Sequence, residues 1–227
     1  MRRMIAEAVG TCLLLAAVVG SGIMGDRLAG GNVAIALLAN TLATGAMLVA
    51  LILTFGPISG AHFNPAVTLV FALKRDISRS EASAYVLAQV IGAVAGAIVA
   101  HLMFGLPLIE FSSKIRTGGA QWFAEFVAAF GLLVTILGGV RLAHAAVPWL
   151  VGLYITAAYW FTASTSFANP AVAIARSLTN TFSGIRPADV PAFIGAELVG
   201  ALAGLAVMGW LLQPTATCEK PKFEAKL

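Results

Sequence analysis

Six stretches of this chain are apolar for long enough to cross the roughly 30 Å hydrocarbon core of a bilayer at about 1.5 Å per helical residue. They fall at roughly 4–24, 34–55, 81–104, 121–141, 147–165 and 189–212. Two more apolar stretches, 64–73 and 170–178, are too short to span. Only helices and closed barrels satisfy their backbone polar groups in hydrocarbon, so the runs predict an all-α, multi-pass membrane protein. Composition agrees: 59% of the 227 residues are hydrophobic and 11% charged, against about 25% charged in average soluble domains. This excludes a cytosolic enzyme, a secreted disulfide scaffold and a nucleic-acid-binding module. Arg2 and Arg3 precede the first run as in a signal peptide, but Glu7 interrupts it early and the run outlasts an h-region, which predicts an uncleaved first helix. Cys12 lies in that run and Cys218 in a polar tail, so no bridge is expected, and no spacing of metal ligands or cofactor motif is present.

The basic residues sit mostly at the edges of the apolar runs and act as topology signals. With the N-terminus inside, the cytoplasmic side receives Arg2, Arg3, Lys74, Arg75, Arg79, Arg141, Lys220, Lys222 and Lys226. The outside receives Arg27, Lys114, Arg116, Arg176 and Arg186. The bias predicts a cell (inner) membrane protein with both termini cytoplasmic.

The chain repeats itself. Ala6-Glu7-Ala8-Val9-Gly10 returns as Ala124-Glu125-Phe126-Val127-Ala128, and His62-Phe63-Asn64-Pro65-Ala66-Val67 as Phe167-Ala168-Asn169-Pro170-Ala171-Val172. Gln89-Val90-Ile91-Gly92-Ala93-Val94-Ala95-Gly96 returns as Glu197-Leu198-Val199-Gly200-Ala201-Leu202-Ala203-Gly204. Each half holds three spans, an odd number, so the second half enters from the opposite face. Within one channel domain, 1–227, this predicts inverted repeats at 1–110 and 121–213, followed by a cytoplasmic tail at 214–227. Gly92, Gly96, Gly200 and Gly204 are expected to let helices approach closely.

Asn64-Pro65 and Asn169-Pro170 read as helix starts, because Asn is a favoured N-cap and Pro a favoured first helical residue. About ten residues of helix reach roughly 15 Å, half the hydrocarbon core. Two such half-helices dipping from opposite faces bring both N-termini, each with a partial positive charge of about half an electron, to the midplane. Non-helical backbone at that depth must be buried or line a wet cavity. A duplicated Asn-Pro-Ala between inverted halves therefore predicts a pore, with Asn64, Pro65, Ala66, Asn169, Pro170 and Ala171 at its waist and two dipoles opposing cations.

On these residues, Ser59-Gly60-Ala61-His62-Phe63-Asn64-Pro65-Ala66-Val67-Thr68 and Ser166-Phe167-Ala168-Asn169-Pro170-Ala171, the chain resembles the aquaporin, or major intrinsic protein, family over essentially its whole length. The resemblance implies six spanning helices, two re-entrant half-helices, a pore in each subunit and a homotetramer in the lipid bilayer. It implies that Glu7 and Glu125 accept hydrogen bonds from the re-entrant loops, and that His62 lines the cytoplasmic half of the pore. Glu197, where the first half has Gln89, departs from the family pattern. It reads as a hydrogen-bonded group replacing Gln, with a protonated, interface-paired or modulatory carboxyl as alternatives.

Family members carry a filter of four positions. Here they map to Thr44, twenty residues before Asn64; Ala157, twelve before Asn169; and Ser166 and Val172, flanking the second motif. The last is normally Arg. Ala157 is placed by spacing alone, with Tyr159 and Trp160 nearby, whereas Val172 is fixed by the motif. Four small residues predict a wide, weakly polar filter that passes water and small neutral solutes such as glycerol, urea or arsenous acid. Arg176, seven residues after Asn169, is expected either to restore positive charge at the outer mouth or to bind headgroups or loop carbonyls. Val172, with Ala175-Arg176-Ser177-Leu178-Thr179-Asn180-Thr181-Phe182 and Gly184-Ile185-Arg186-Pro187-Ala188-Asp189-Val190-Pro191, is similar to a bacterial aquaglyceroporin branch associated with arsenic resistance. This implies arsenite or methylated arsenicals as specialised solutes.

The competing readings are a water-selective aquaporin and a secondary transporter built on inverted repeats. The transporter needs an ion cage at the midplane, where the motifs offer only Asn, Ala and Val. A non-conducting scaffold would show Phe63, Phe167 or Trp160 turned into the waist. No nucleophile–base pair or phosphate loop supports an enzyme.

Overall fold

The computed structural model describes residues 1–213; the charged tail at 214–227, with Cys218, lies outside the described residues. The described chain is all helical. In order, it forms α1 (Arg2–Leu28), α2 (Val33–Ser59), α3 (Pro65–Leu73), α4 (Arg79–Phe104), α5 (Gly119–Leu142), α6 (Val147–Phe161), α7 (Pro170–Arg176) and α8 (Val190–Leu211). Short 3₁₀ turns at His144–Ala146 and Pro187–Asp189 lead into α6 and α8. Five of the described helices are long and apolar enough to cross a membrane: α1, α2, α4, α5 and α8 with its leading turn. The sixth expected span is shorter than its apolar run. α6 has 15 residues, about 22 Å at 1.5 Å each, because the chain leaves helix at Thr162 to begin the loop that leads into α7.

The starts of these helices are written in their caps. Asn32 accepts from Ala34 N and Ile35 N at the head of α2, and Ser78 accepts from Glu81 N at the head of α4. The short helices α3 and α7 begin where the motifs place them, with Asn64 and Asn169 as N-caps and Pro65 and Pro170 at the first helical position. Because both prolines lack an N–H, neither adds an orphan donor to a helix end already short of acceptors.

Packing follows the small residues. α1 lies along α4, and α5 along α8. A Cβ on Gly92 or Gly96 would come within 2.2 Å of the Ala8 or Cys12 carbonyl of α1. On α8, a Cβ at Gly200 would stand 2.3 Å from the Phe126 carbonyl, and one at Gly204 3.0 Å from that of Phe130. The expected close approach is thus backbone against backbone, the contact available when no hydrophobic force drives helices together in lipid. Large apolar side chains such as Leu42, Leu87, Ile91, Leu153, Val199 and Trp210 are left exposed on the outside of the bundle. The short helices α3 and α7 occupy its interior, with Pro65–Thr68 and Pro170–Ala173 buried.

Gly200→Val forces the α5–α8 backbones apart, since the atom it meets is a main-chain carbonyl that cannot rotate away. The expected cost is about 1–3 kcal/mol of overpacking. It is read as a lowered Tm and a smaller monodisperse fraction by size exclusion of the detergent-solubilised protein; an unchanged Tm would show that α5 and α8 do not touch at this point.

Candidate pore

The loops leading into α3 and α7 meet at the centre of the bundle. Asn64 Nδ2 donates to Ala168 O at 2.7 Å, and Asn169 Nδ2 donates to Phe63 O at 2.8 Å. Each amide thus crosses to the other loop, while its oxygen caps its own helix: Asn64 Oδ1 accepts from Ala66 N at 2.8 Å, and Asn169 Oδ1 from Ala171 N at 3.0 Å. A primary amide has two N–H donors. One from each Asn therefore has no partner among the described residues, and both asparagines line the central cavity.

These loops hold an unfavourable backbone. Phe63 and Ala168, the residues before the two asparagines, both have φ of 48°, and Ala61, Thr165 and Ser166 are also left-handed. Non-glycine residues held there cost of order 1–3 kcal/mol each and persist only where the surroundings over-determine them. The carboxylates supply that constraint. Glu7 on α1 accepts from His62 N at 3.0 Å, Phe63 N at 2.7 Å, Ser59 Oγ at 2.6 Å and Gln89 Nε2 at 2.8 Å. Glu125 on α5 accepts from Phe167 N at 2.9 Å and Ala168 N at 2.7 Å. Both side chains are fully buried.

The cavity holds about 110 Å³. Along α6 its wall runs through Val147, Val151, Ile155 and Tyr159, a stretch of about 18 Å. Leu14, Leu48, Leu132 and Ile136 add apolar wall. Polar groups are few: Thr44, Tyr159, His62, Ser166 and the two asparagines with their loops. His62 lines the cavity, with Nδ1 3.1 Å from Thr68 Oγ1 and its ring against Phe71 and Tyr85. Ser166 Oγ is buried, and no group among the described residues hydrogen-bonds it.

Of the four filter positions, Thr44, Ser166 and Val172 line the cavity. Ala157 does not; it is exposed on the far face of α6. The lining residues of α6 recur every four positions, so a residue two before Tyr159 is turned about 200° away. Tyr159 lines the cavity from α6, its hydroxyl 3.3 Å from Thr44 Oγ1. The expectation of four small side chains is corrected accordingly: one wall is aromatic.

Of the aromatic residues that would mark a blocked waist, Phe63 and Phe167 line the cavity and Trp160 does not. The Phe63 ring lies where a Cβ on Gly10 would stand, edge-on to Phe55. The Phe167 ring packs edge-on to Phe193, and Trp160 is exposed on the outside. Arg176 is neither a surface residue nor among the lining residues. It is fully buried, its Nε donates to Ser183 O, and its guanidinium lies 3.4 Å over the centroid of Phe167. Its companion is not singled out by the sequence. Arg116, in the loop before α5, donates Nε to Gly184 O and Nη1 to Ser164 O, and stands 5.1 Å over the same ring. Burial pulls Arg116 below its ordinary pKa while the Glu125 charge pulls it up. Its only sequence signal is an arginine in a loop, and loop arginines are common.

Comparison with known proteins identifies the arrangement. The family profile described as Major intrinsic protein matches residues 1–142. Aquaglyceroporin AqpS of Rhizobium meliloti (strain 1021) is 67% identical over 213 residues, covering 94% of this chain and 91% of that protein. Nodulin-26 of Glycine max is 30% identical over 232 residues, covering 99% and 81%. Among solved structures, the aquaglyceroporin from Plasmodium falciparum superposes with a TM-score of 0.68 at 23% identity, covering 92% of this chain and 94% of that one; this is a likeness of fold.

Glu7→Ala strips the acceptor from two loop N–H groups and from the Ser59 and Gln89 side chains. Each buried donor left unpaired costs about 1–3 kcal/mol. The expected result is loss of osmotic solute flux in proteoliposomes, with Glu7→Gln, which keeps one acceptor oxygen, intermediate. Full flux in Glu7→Ala would mean that the first loop holds itself.

Proposed function

The chain belongs to the major intrinsic protein family, and we propose that it is a passive channel whose filter is formed by Thr44, Tyr159, Ser166 and Val172. It is a multi-pass membrane channel for water and small solutes such as glycerol, and not an enzyme, as members of that family are. The observation that carries the filter reading is the set of side chains these positions bring to the cavity wall: three hydroxyls, one of them on an aromatic ring, and a valine, with no charge. Polyols have a carbon side and a hydroxyl side. The Tyr159 ring and Val172 suit the first, and Thr44, Ser166 and the free N–H of Asn64 and Asn169 suit the second. Arsenous acid and urea present the same combination of small size, neutrality and several donors. A transporter would need an ion cage at the waist, and the waist residues offer none.

The wider assignment completes this reading. Residues 1–110 and 121–213 are inverted repeats, supported by the reciprocal Asn64–Ala168 and Asn169–Phe63 hydrogen bonds and the paired Glu7 and Glu125. The cell membrane, cytoplasmic termini and homotetrameric assembly follow from the basic residues and the resemblance. Arg116 and Arg176, stacked on the lining residue Phe167, hold fixed positive charge behind the cavity wall, to which Val172 adds none.

Liposomes carrying the purified protein, shrunk and reswollen in glycerol, urea or arsenous acid, test the filter. Val172→Arg narrows the cavity and adds a charge that must be kept solvated. It is expected to slow the larger solutes about tenfold, equivalent to roughly 1.4 kcal/mol of added barrier, while water flux changes less. Wild-type vesicles that pass only water would overturn the solute assignment.

A further inference from the structure

The two halves bind their loops with the same carboxylate but complete it differently. In the first half, Glu7 Oε2 receives Gln89 Nε2 from α4 at 2.8 Å, and the same nitrogen reaches Thr68 Oγ1 of α3 at 2.9 Å. In the second half, the matching positions are Glu125, Glu197 and Ala173. Ala173 offers no polar atom. Glu197, on α8, is fully buried, and no donor among the described residues hydrogen-bonds either of its oxygens. The ionisable side chain facing it is Glu125 of α5, the helix along which α8 lies, as Glu7 faces Gln89 in the first half. The other groups facing it are the Asn169 backbone N–H and, at longer range, the Arg176 guanidinium of α7.

Two facing carboxylates cannot both be ionised in a dry interior; one proton resolves the repulsion and makes a hydrogen bond of it. Glu125 is the member committed as an acceptor, because Phe167 N and Ala168 N both donate to it. We propose that Glu197 is a positioning residue that holds a proton at neutral pH and donates it to Glu125, doing for the second re-entrant loop what the Gln89 amide does for the first. The carboxylic acid O–H replaces the amide N–H as donor, and Glu125 keeps its charge for the loop. No net negative charge is added behind Arg176, so the cation-opposing field at Phe167 is preserved.

Infrared spectroscopy of the full-length protein in lipid tests this at neutral pH, where every exposed carboxyl is ionised. Wild type is expected to show the carbonyl stretch of a protonated carboxylic acid, and Glu197→Gln to lose it. Absence of the band in wild type, or loss of only carboxylate bands in the variant, overturns the proposal. The flux arm rests on the channel function described above, and the infrared arm does not. Glu197→Gln is expected to keep wild-type glycerol flux, and Glu197→Leu, which leaves Glu125 without its side-chain donor, to lose it. A Leu variant that assembles and conducts as wild type shows that the donor is not needed and equally overturns the proposal.

Discussion

Everything in this channel depends on two carboxylates that hold non-helical backbone in the middle of a membrane. Hydrocarbon offers no hydrogen-bond partner, so a loop at that depth must find one in protein. Glu7 and Glu125 bind the N–H groups of His62, Phe63, Phe167 and Ala168. Ion-to-amide hydrogen bonds are roughly twice as strong as neutral ones, enough to offset the left-handed φ at Phe63 and Ala168. With those residues fixed, Asn64 and Asn169 have only one place to put their amides, across the waist and onto the opposite loop. The glycine contacts between α1 and α4, and between α5 and α8, serve the same end: they bring the carboxylate helices and their Gln89 and Glu197 partners within reach of the loops.

The two halves are alike in plan and unlike in chemistry. The first keeps a neutral amide, a threonine and a histidine around its loop; the second keeps a second carboxyl, an alanine and two arginines stacked on Phe167. The second half is therefore the electrostatically loaded one, and it is also the half that carries Val172. Val172 puts no charge on the wall of the cavity, but Arg116 and Arg176 keep charge in its surroundings. A guanidinium over an aromatic face is held by the ring quadrupole, and here the ring itself forms part of the lining.

Much of this architecture is legible in the amino-acid sequence. The apolar runs specify the spans and Asn-Pro specifies the half-helix starts; Glu7 and Glu125 stand out as ionisable groups too costly to be idle inside hydrocarbon, and the family resemblance is what marks them as loop anchors. What sequence spacing does not carry is phase. Val172 is tied to Asn169 by the motif, so its orientation follows from the helix it begins. The spacing that points to Ala157 counts across a non-helical loop, where residues advance by no fixed angle, and an error of two positions lands on the opposite face from Tyr159. The apolar run overstates the length of α6 because Thr162 and Ala163 extend the run without continuing the helix. Arg116 is illegible because its partners, the carbonyls of Ser164 and Gly184, are main-chain atoms brought to it by long-range folding.

In the proposed filter, a valine where Arg is expected need not open the channel to ions, and the reason lies in the cost of dehydration. A neutral solute entering the cavity exchanges hydrogen bonds to water for bonds to Thr44, Ser166, Asn64 and Asn169, and each one missed costs about 1–3 kcal/mol. An ion gives up a hydration shell worth tens of kcal/mol in a passage walled by Leu14, Leu48, Leu132 and Ile136, and meets two helix N-termini at the waist. Few polar groups suffice for a polyol and are far too few for a cation. On the proposed filter, selectivity against charge is thus a property of the apolar wall and the dipoles, and Val172 is left to discriminate among neutral solutes by size and shape.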